Sequence, residues 1–222
     1  MDGKLKRAIL HYFFPNRCPE CGELLDAEGY FCETCTADMN VYSGQTEIDG
    51  AAGFFAAFDY DENVKNSIYL LKSGNGAMAA RAFSHYLAEV IREGIPDSAD
   101  IITSVPGHRR KVRIRGYDQT RLIADALSEE LGIPSDNKII VKVKAIPEQK
   151  KLSADDRKKN VIDAYKVVSP EKVKGRTILL IDDICTTGST LNEITSLLVR
   201  SGAERVFCAV CCKTPPPEKS SV

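Results

Sequence analysis

From GFFAAFDY at residues 53–60 onward, short continuous apolar runs alternate with longer stretches whose apolar positions follow a helical repeat. Runs of the first kind read as strands covered on both faces, and stretches of the second kind as helices with one apolar stripe. The pattern predicts strands near 53–59, 99–105, 138–143, 164–168, 177–182 and 204–210. It predicts helices near 62–73, 77–93, 117–131, 153–160 and 189–201. Such alternation belongs to an α/β fold, a mostly parallel sheet flanked by helices. Gly132 and Gly202 stand where C-caps would close two of the helices.

Ahead of this region the pattern changes. Leu5, Ile9, Tyr12 and Phe13 have helical spacing over residues 3–14, and Pro15 stops it. Residues 16–40 hold four cysteines among glycines and polar residues, with too few aliphatic side chains for a core of their own, and 41–50 read as a linker. The expected division is a leading helix and cysteine module over 1–45, an α/β domain over 51–213 and a tail over 214–222. The closing KTPPPEKSSV can extend neither a strand nor a helix, so the tail is expected to be mobile.

With 222 residues, 43% of them hydrophobic, the chain can bury a substantial core. Net charge is −1 and the pI is near 6.3, so any site for a polyanion must be local. No run approaches the roughly 20 apolar residues of a membrane helix. The short apolar stretch near the N-terminus holds His11 and leads into a cysteine motif, not a cleavage site. A cytoplasmic protein without membrane insertion is expected. In that setting the eight cysteines are better read as reduced thiols or metal ligands than as disulfides.

Their spacing separates two groups. Cys18-Pro-Glu-Cys21 and Cys32-Glu-Thr-Cys35 are paired knuckles separated by ten residues. Each knuckle can present two thiolates from one tight turn, and two knuckles complete a tetrahedral shell for Zn2+. Four thiolates leave no open coordination position, so this zinc is structural. Cys208, Cys211 and Cys212 lie in the strand-like RVFCAVCCKT and read as small buried hydrophobes. Cys185 reads as a space filler.

TILLIDDICTTGST, residues 177–190, ends an apolar strand on two adjacent acids and then turns through hydroxyls and glycine. At the carboxyl end of a parallel strand, Thr186, Thr187, Gly188, Ser189 and Thr190 can form a turn whose amides and hydroxyls cradle a phosphate. The loop has no lysine, which separates it from the nucleotide P-loop. Asp182 and Asp183 suit a ligand that also presents hydroxyls, such as a ribose. A second locus follows the strand ADIITS: Val105, Pro106, Gly107 and His108, then Arg109, Arg110, Lys111, Arg113 and Arg115. Clustered cations of this kind suit a diphosphate or a nucleic-acid backbone, and a solvated basic loop is the plain alternative.

The acidic strand end followed by Thr-Thr-Gly-Ser-Thr resembles the phosphoribosyl-diphosphate signature of type I phosphoribosyltransferases. Taken in order, the cysteine module, VPGHRRKVRIRGYDQT, QKKLSADDRKKNV and ILLIDDICTTGST resemble the ComF family of competence-associated proteins. The resemblance implies a type I phosphoribosyltransferase-like fold behind an N-terminal zinc module. It implies that residues 186–190 hold a ribose 5-phosphate, that Asp182 and Asp183 contact the ribose hydroxyls, and that Ser104 to Lys111 form a diphosphate loop. Lys72, in LKSGNG, is a further phosphate contact on this reading. Gln149, Leu152, Arg157, Asn160 and Val161 match the family's spacing and would cap and pack a short helix at the site's edge. The expected ligand is 5-phosphoribosyl 1-diphosphate with Mg2+, making the chain a phosphoribosyltransferase of unidentified acceptor. The alternative is a non-catalytic factor whose zinc module and basic segment bind single-stranded DNA or competence-machinery proteins. Asp118 stands where the family carries Asn, which places negative charge near the expected anion site.

Overall fold

The computed structural model describes residues 15–74, 76–95, 99–143 and 164–215. The expected helices at 3–14 and near 153–160, the spaced residues Gln149 to Val161 and the tail beyond residue 215 lie outside the described residues.

A short helix α1 (Glu33–Asp38) belongs to the cysteine module. The α/β region then runs β1 (Gly53–Asp59), α2 (Lys65–Ser73), α3 (Gly76–Gly94), β2 (Ile101–Ser104), α4 (Arg109–Arg115) and α5 (Gln119–Leu131). It continues with β3 (Ile140–Lys142), β4 (Tyr165–Val167), β5 (Thr177–Cys185), α6 (Ser189–Arg200) and β6 (Arg205–Lys213). Four strands form one sheet in the order β1-β6-β5-β2, and every pairing is parallel. The strands predicted near 138–143 and 164–168 do not join it. Instead β3 and β4 form an antiparallel ribbon, with Ile140 opposite Val167.

Strands covered on both faces need apolar side chains at odd and even positions alike, and β5 and β6 supply them. Along β5, Leu179 and Ile181 enter a core layer with Phe83 and Leu87 of α3 and Ile123 and Leu127 of α5. Ile178 and Leu180 enter the opposite layer with Leu191, Ile194 and Leu198 of α6 and with Ile140 and Tyr165 of the ribbon. Each strand position therefore reports its face by parity.

Two local departures from expectation bear on the site. The strand predicted to end at 182 continues to Cys185, because β6 pairs beside it as far as Lys213. Arg109–Arg115, expected as a basic loop, is helical. His108 caps it, with Nδ1 accepting the Arg110 N–H at 3.3 Å, and Gly116 closes it in the left-handed region at φ 86°.

Candidate functional site

The cysteine module is built from two turns. Gly22 N–H donates to Cys18 O at 2.9 Å in the first, and Cys35 N–H donates to Cys32 Sγ at 3.5 Å in the second. The four Sγ atoms of Cys18, Cys21, Cys32 and Cys35 lie within 4.8 Å of one another, and Cys21 Sγ is 3.6 Å from Cys32 Sγ. A tetrahedron with Zn–S bonds of about 2.3 Å has edges of about 3.8 Å, so the donor set fits structural Zn2+. Phe31 docks the module, meeting Phe58 and Phe83 edge-on at ring distances of 6.2 and 5.8 Å. Glu20, inside the first knuckle, accepts hydrogen bonds from Ser67 N–H at 2.8 Å, Ser67 Oγ at 2.6 Å and Asn66 N–H at 3.2 Å. The zinc knuckle thus holds the first turn of α2.

The other end of α2 delivers Lys72 to the sheet, where its Nζ lies 3.0 Å from Asp183 Oδ2. Pleating explains why Lys72 meets Asp183. Asp183 continues the Leu179 and Ile181 face, toward α2 and α5, whereas Asp182 continues the Ile178 and Leu180 face, toward the ribbon. Asp183 also accepts from Gln119 Nε2 at 3.2 Å and from Ile184 N–H at 2.8 Å, and Asp182 Oδ1 accepts the Asp183 N–H at 2.8 Å. Burial pushes the Asp183 pKa up, but the Lys72 ammonium and these hydrogen bonds outweigh it and leave the carboxyl below its usual range. For Asp182, burial and then the neighbouring Asp183 charge act together, and its pKa stands well above the usual range. The pair is therefore asymmetric: Lys72 and the hydrogen bonds favour the charge on Asp183, whereas burial and that charge oppose ionisation of Asp182.

Beyond the acids, Cys185 is buried and fills space beneath the turn. Thr187 Oγ1 and Ser189 Oγ lie 2.9 Å apart, and Gly188 turns the chain at φ 75° into the N-terminus of α6. A Cβ on Gly188 would sit 2.9 Å from Ile48 Cδ1, so glycine satisfies both the backbone angle and the close approach of the linker. Lys213 Nζ donates to Thr186 O at 2.9 Å and to Thr214 O at 2.8 Å, tying the start of the turn to the end of β6. On the ribbon, burial, then the Asp182 and Glu193 charges, raise the phenol pKa of Tyr165.

Since β2 pairs with β5 only through Ser104 opposite Ile181, the Val105–His108 turn leaves the sheet beside the acids. Val105 N–H donates to Ile181 O at 2.8 Å. The structure brings Asp182, Asp183, Lys72, Val105 and the 186–190 turn to one edge of the sheet. It carries Arg109, Arg110 and Lys111 outward on α4, where all three are exposed. Sequence reasoning did not assign site roles to Gln119, Tyr117, Lys213 or Tyr165. The Tyr117 hydroxyl donates to Leu71 O at 3.1 Å and accepts from Gly74 N–H at 3.1 Å, fixing the end of α2 that bears Lys72. Only the segment VPGHRRKVRIRGYDQT, which contains Tyr117 and Gln119, could have flagged two of these residues.

The "Phosphoribosyl transferase domain" model matches residues 120–221, and the "Double zinc ribbon domain" model matches residues 9–46. The chain is 35% identical over 201 residues to the DNA utilization protein YhgH of Escherichia coli K12, covering 89% of this chain and 84% of that protein. It is 30% identical over 197 residues to competence protein F of Haemophilus influenzae, covering 85% and 81%. The chain belongs to the ComF family. Its α/β region is a type I phosphoribosyltransferase-like domain, read from the parallel sheet and the family model. Among solved structures, glutamine phosphoribosylpyrophosphate amidotransferase from B. subtilis overlaps 60% of this chain and 26% of its own, at 22% identity and a TM-score of 0.41. Although the zinc family's name says double, this ComF-family chain carries four cysteines in the matched segment, the donors for one tetrahedral ion. Among the described residues no helix is long and apolar enough to cross a membrane.

Proposed function

We propose that the chain binds 5-phosphoribosyl 1-diphosphate at the C-terminal edge of β5 and acts as a phosphoribosyltransferase-like protein of competence or DNA utilization. The observation that carries this is one strand with a held carboxylate, Asp183, two residues before its end at Cys185, followed by a hydroxyl-lined turn into a helix N-terminus. The turn at Thr186–Thr190 offers amides, hydroxyls and the positive end of the α6 dipole to the 5-phosphate. Asp183 and Asp182 lie where ribose hydroxyls can donate to them. Lys72 neutralises Asp183 while the site is empty and can turn toward a phosphate when hydroxyls take its place.

The oxygen donors also fit Mg2+, which binds through one or two carboxylates together with ligand phosphates. When bound, the ion supplies charge neutralisation for a departing diphosphate. In the transfer, an acceptor nucleophile forms a bond to the ribose anomeric carbon as the bond from that carbon to the diphosphate oxygen breaks. The diphosphate leaves with the bonding electrons. Asp183 offsets the positive charge that develops on the sugar.

Calorimetry with 5-phosphoribosyl 1-diphosphate and Mg2+ tests the reading. Saturable heat from the wild type, lost in the Asp182→Asn/Asp183→Asn variant, is expected. Absence of saturable heat from a folded, zinc-loaded wild type refutes it.

A second reading is favoured by α4. Among the described residues no carboxylate pairs with Arg109, Arg110 or Arg113, and all three are exposed. Such a row suits the phosphate backbone of single-stranded DNA. Binding that weakens with salt, and weakens again in an Arg109→Ala/Arg110→Ala/Lys111→Ala variant, is expected on that reading; salt-independent binding excludes it.

A further inference from the structure

An aspartate preceding a helix ordinarily caps it, accepting from the second or third helical amide. Asp118 precedes α5 and makes no such bond. Its Oδ2 reaches back to accept the Gly107 N–H at 2.8 Å. Its Oδ1 lies 2.8 Å from Thr120 Oγ1, whose hydroxyl also reaches Val105 O at 2.7 Å. Oδ2 therefore holds the turn after β2 directly, and Oδ1 lies beside the Thr120 hydroxyl that reaches the same turn. A Cβ on Gly107 would lie 2.9 Å from each of these oxygens, so glycine lets the turn close on the carboxylate.

If the turn after β2 seats the diphosphate, as the family resemblance implies, this amide is one that anion would use, and a carboxylate already holds it. Among the described residues no cation pairs with Asp118, and Arg115 turns its guanidinium to Gln119 instead. The Thr186–Thr190 turn has its own amides and shares no hydrogen bond with Asp118 among the described residues.

We propose that Asp118 is a specificity-determining residue. Its charge weakens the hold on the diphosphate end of the ligand and leaves the ribose 5-phosphate end unaffected, an inference that rests on the site proposed above. A diphosphate must displace the carboxylate from Gly107 or lie against it, and like charges at such range repel strongly where water is sparse. Affinity then comes mainly from the sugar-phosphate end.

The test is calorimetry on the zinc-loaded full chain with ribose 5-phosphate and with 5-phosphoribosyl 1-diphosphate, each with Mg2+. Asp118→Asn keeps an acceptor for Gly107 without the charge, and Asp118→Ser removes the charge with a different shape. In the wild type the two ligands should bind within about threefold of one another. Both variants should tighten the diphosphate ligand about tenfold or more and leave ribose 5-phosphate within about twofold. If ribose 5-phosphate binds but the ratio of affinities is unchanged in both variants, or if the wild type already prefers the diphosphate ligand about tenfold, Asp118 has no such role. If neither ligand binds any of the three folded proteins, the site reading fails and takes this inference with it.

Discussion

Replacing Lys72 by methionine keeps most of the stem and removes the ammonium 3.0 Å from Asp183 Oδ2. The Asp183 side chain is 12% exposed and that of Lys72 33%. Breaking a buried ion pair from one side costs about 3–5 kcal/mol, because the partner is left charged in a poorly solvated place. Here the lysine is partly solvated, and Gln119 and the Ile184 amide stay on the carboxylate, so about 2–3 kcal/mol is expected at neutral pH.

The pH dependence separates this loss from a packing defect. In the wild type the folded-state pKa of Asp183 lies below the unfolded value, so its contribution is present above about pH 4 and fades as pH falls through the folded value. In Lys72→Met only the Gln119 and Ile184 hydrogen bonds still oppose burial, so the folded-state pKa rises from its wild-type position. The folded variant then binds the extra proton, and its deficit shrinks as the solution is acidified. Urea unfolding of both proteins at pH 8 and pH 5 measures the difference. A deficit of about 2–3 kcal/mol at pH 8 should be smaller at pH 5. Equal deficits at both pH values would refute the electrostatic account and assign the loss to the stem.

Two further outcomes are expected. Glu20→Ala removes three hydrogen bonds from the start of α2, beside fully buried Ser67, and should cost about 1–2 kcal/mol and lower Tm by about 3–8 °C with zinc bound; an unchanged Tm would show that the knuckle does not support the helix. A thiol reagent added after zinc chelation should modify Cys18, Cys21, Cys32 and Cys35 first. Cys185, Cys208, Cys211 and Cys212 should react only on unfolding, because they are buried and burial pushes Cys208 up to about 12. Rapid reaction of those four in the folded protein counts against the core described above.

The sheet could be read from the chain because β1, β5 and β6 are continuous apolar runs, and the helices because their stripes repeat regularly. The ribbon strands could not be told from sheet strands. Each has three paired residues, and nothing in IVK or YKV marks an antiparallel partner. RRKVRIR hid its helix because a charged surface turn of helix shows no apolar period. At the site, the acids and the hydroxyl turn were legible as a contiguous motif. Their assignment to opposite faces required knowing that the strand continues through them, and β6, not the local sequence, decides that. Lys72, Gln119 and Lys213 arrive from distant segments, and no local spacing announces such meetings.

The strand order has a consequence for how the chain is made. Among the described strands β6 is synthesised after all the others, yet it lies between β1 and β5. Before it emerges from the ribosome, β1 has no strand beside it among the described residues, and Thr186 lacks the tether from Lys213. A polypeptide released short of residue 205 would therefore expose two raw sheet edges and leave the hydroxyl turn untethered, making truncated products conspicuous to proteases.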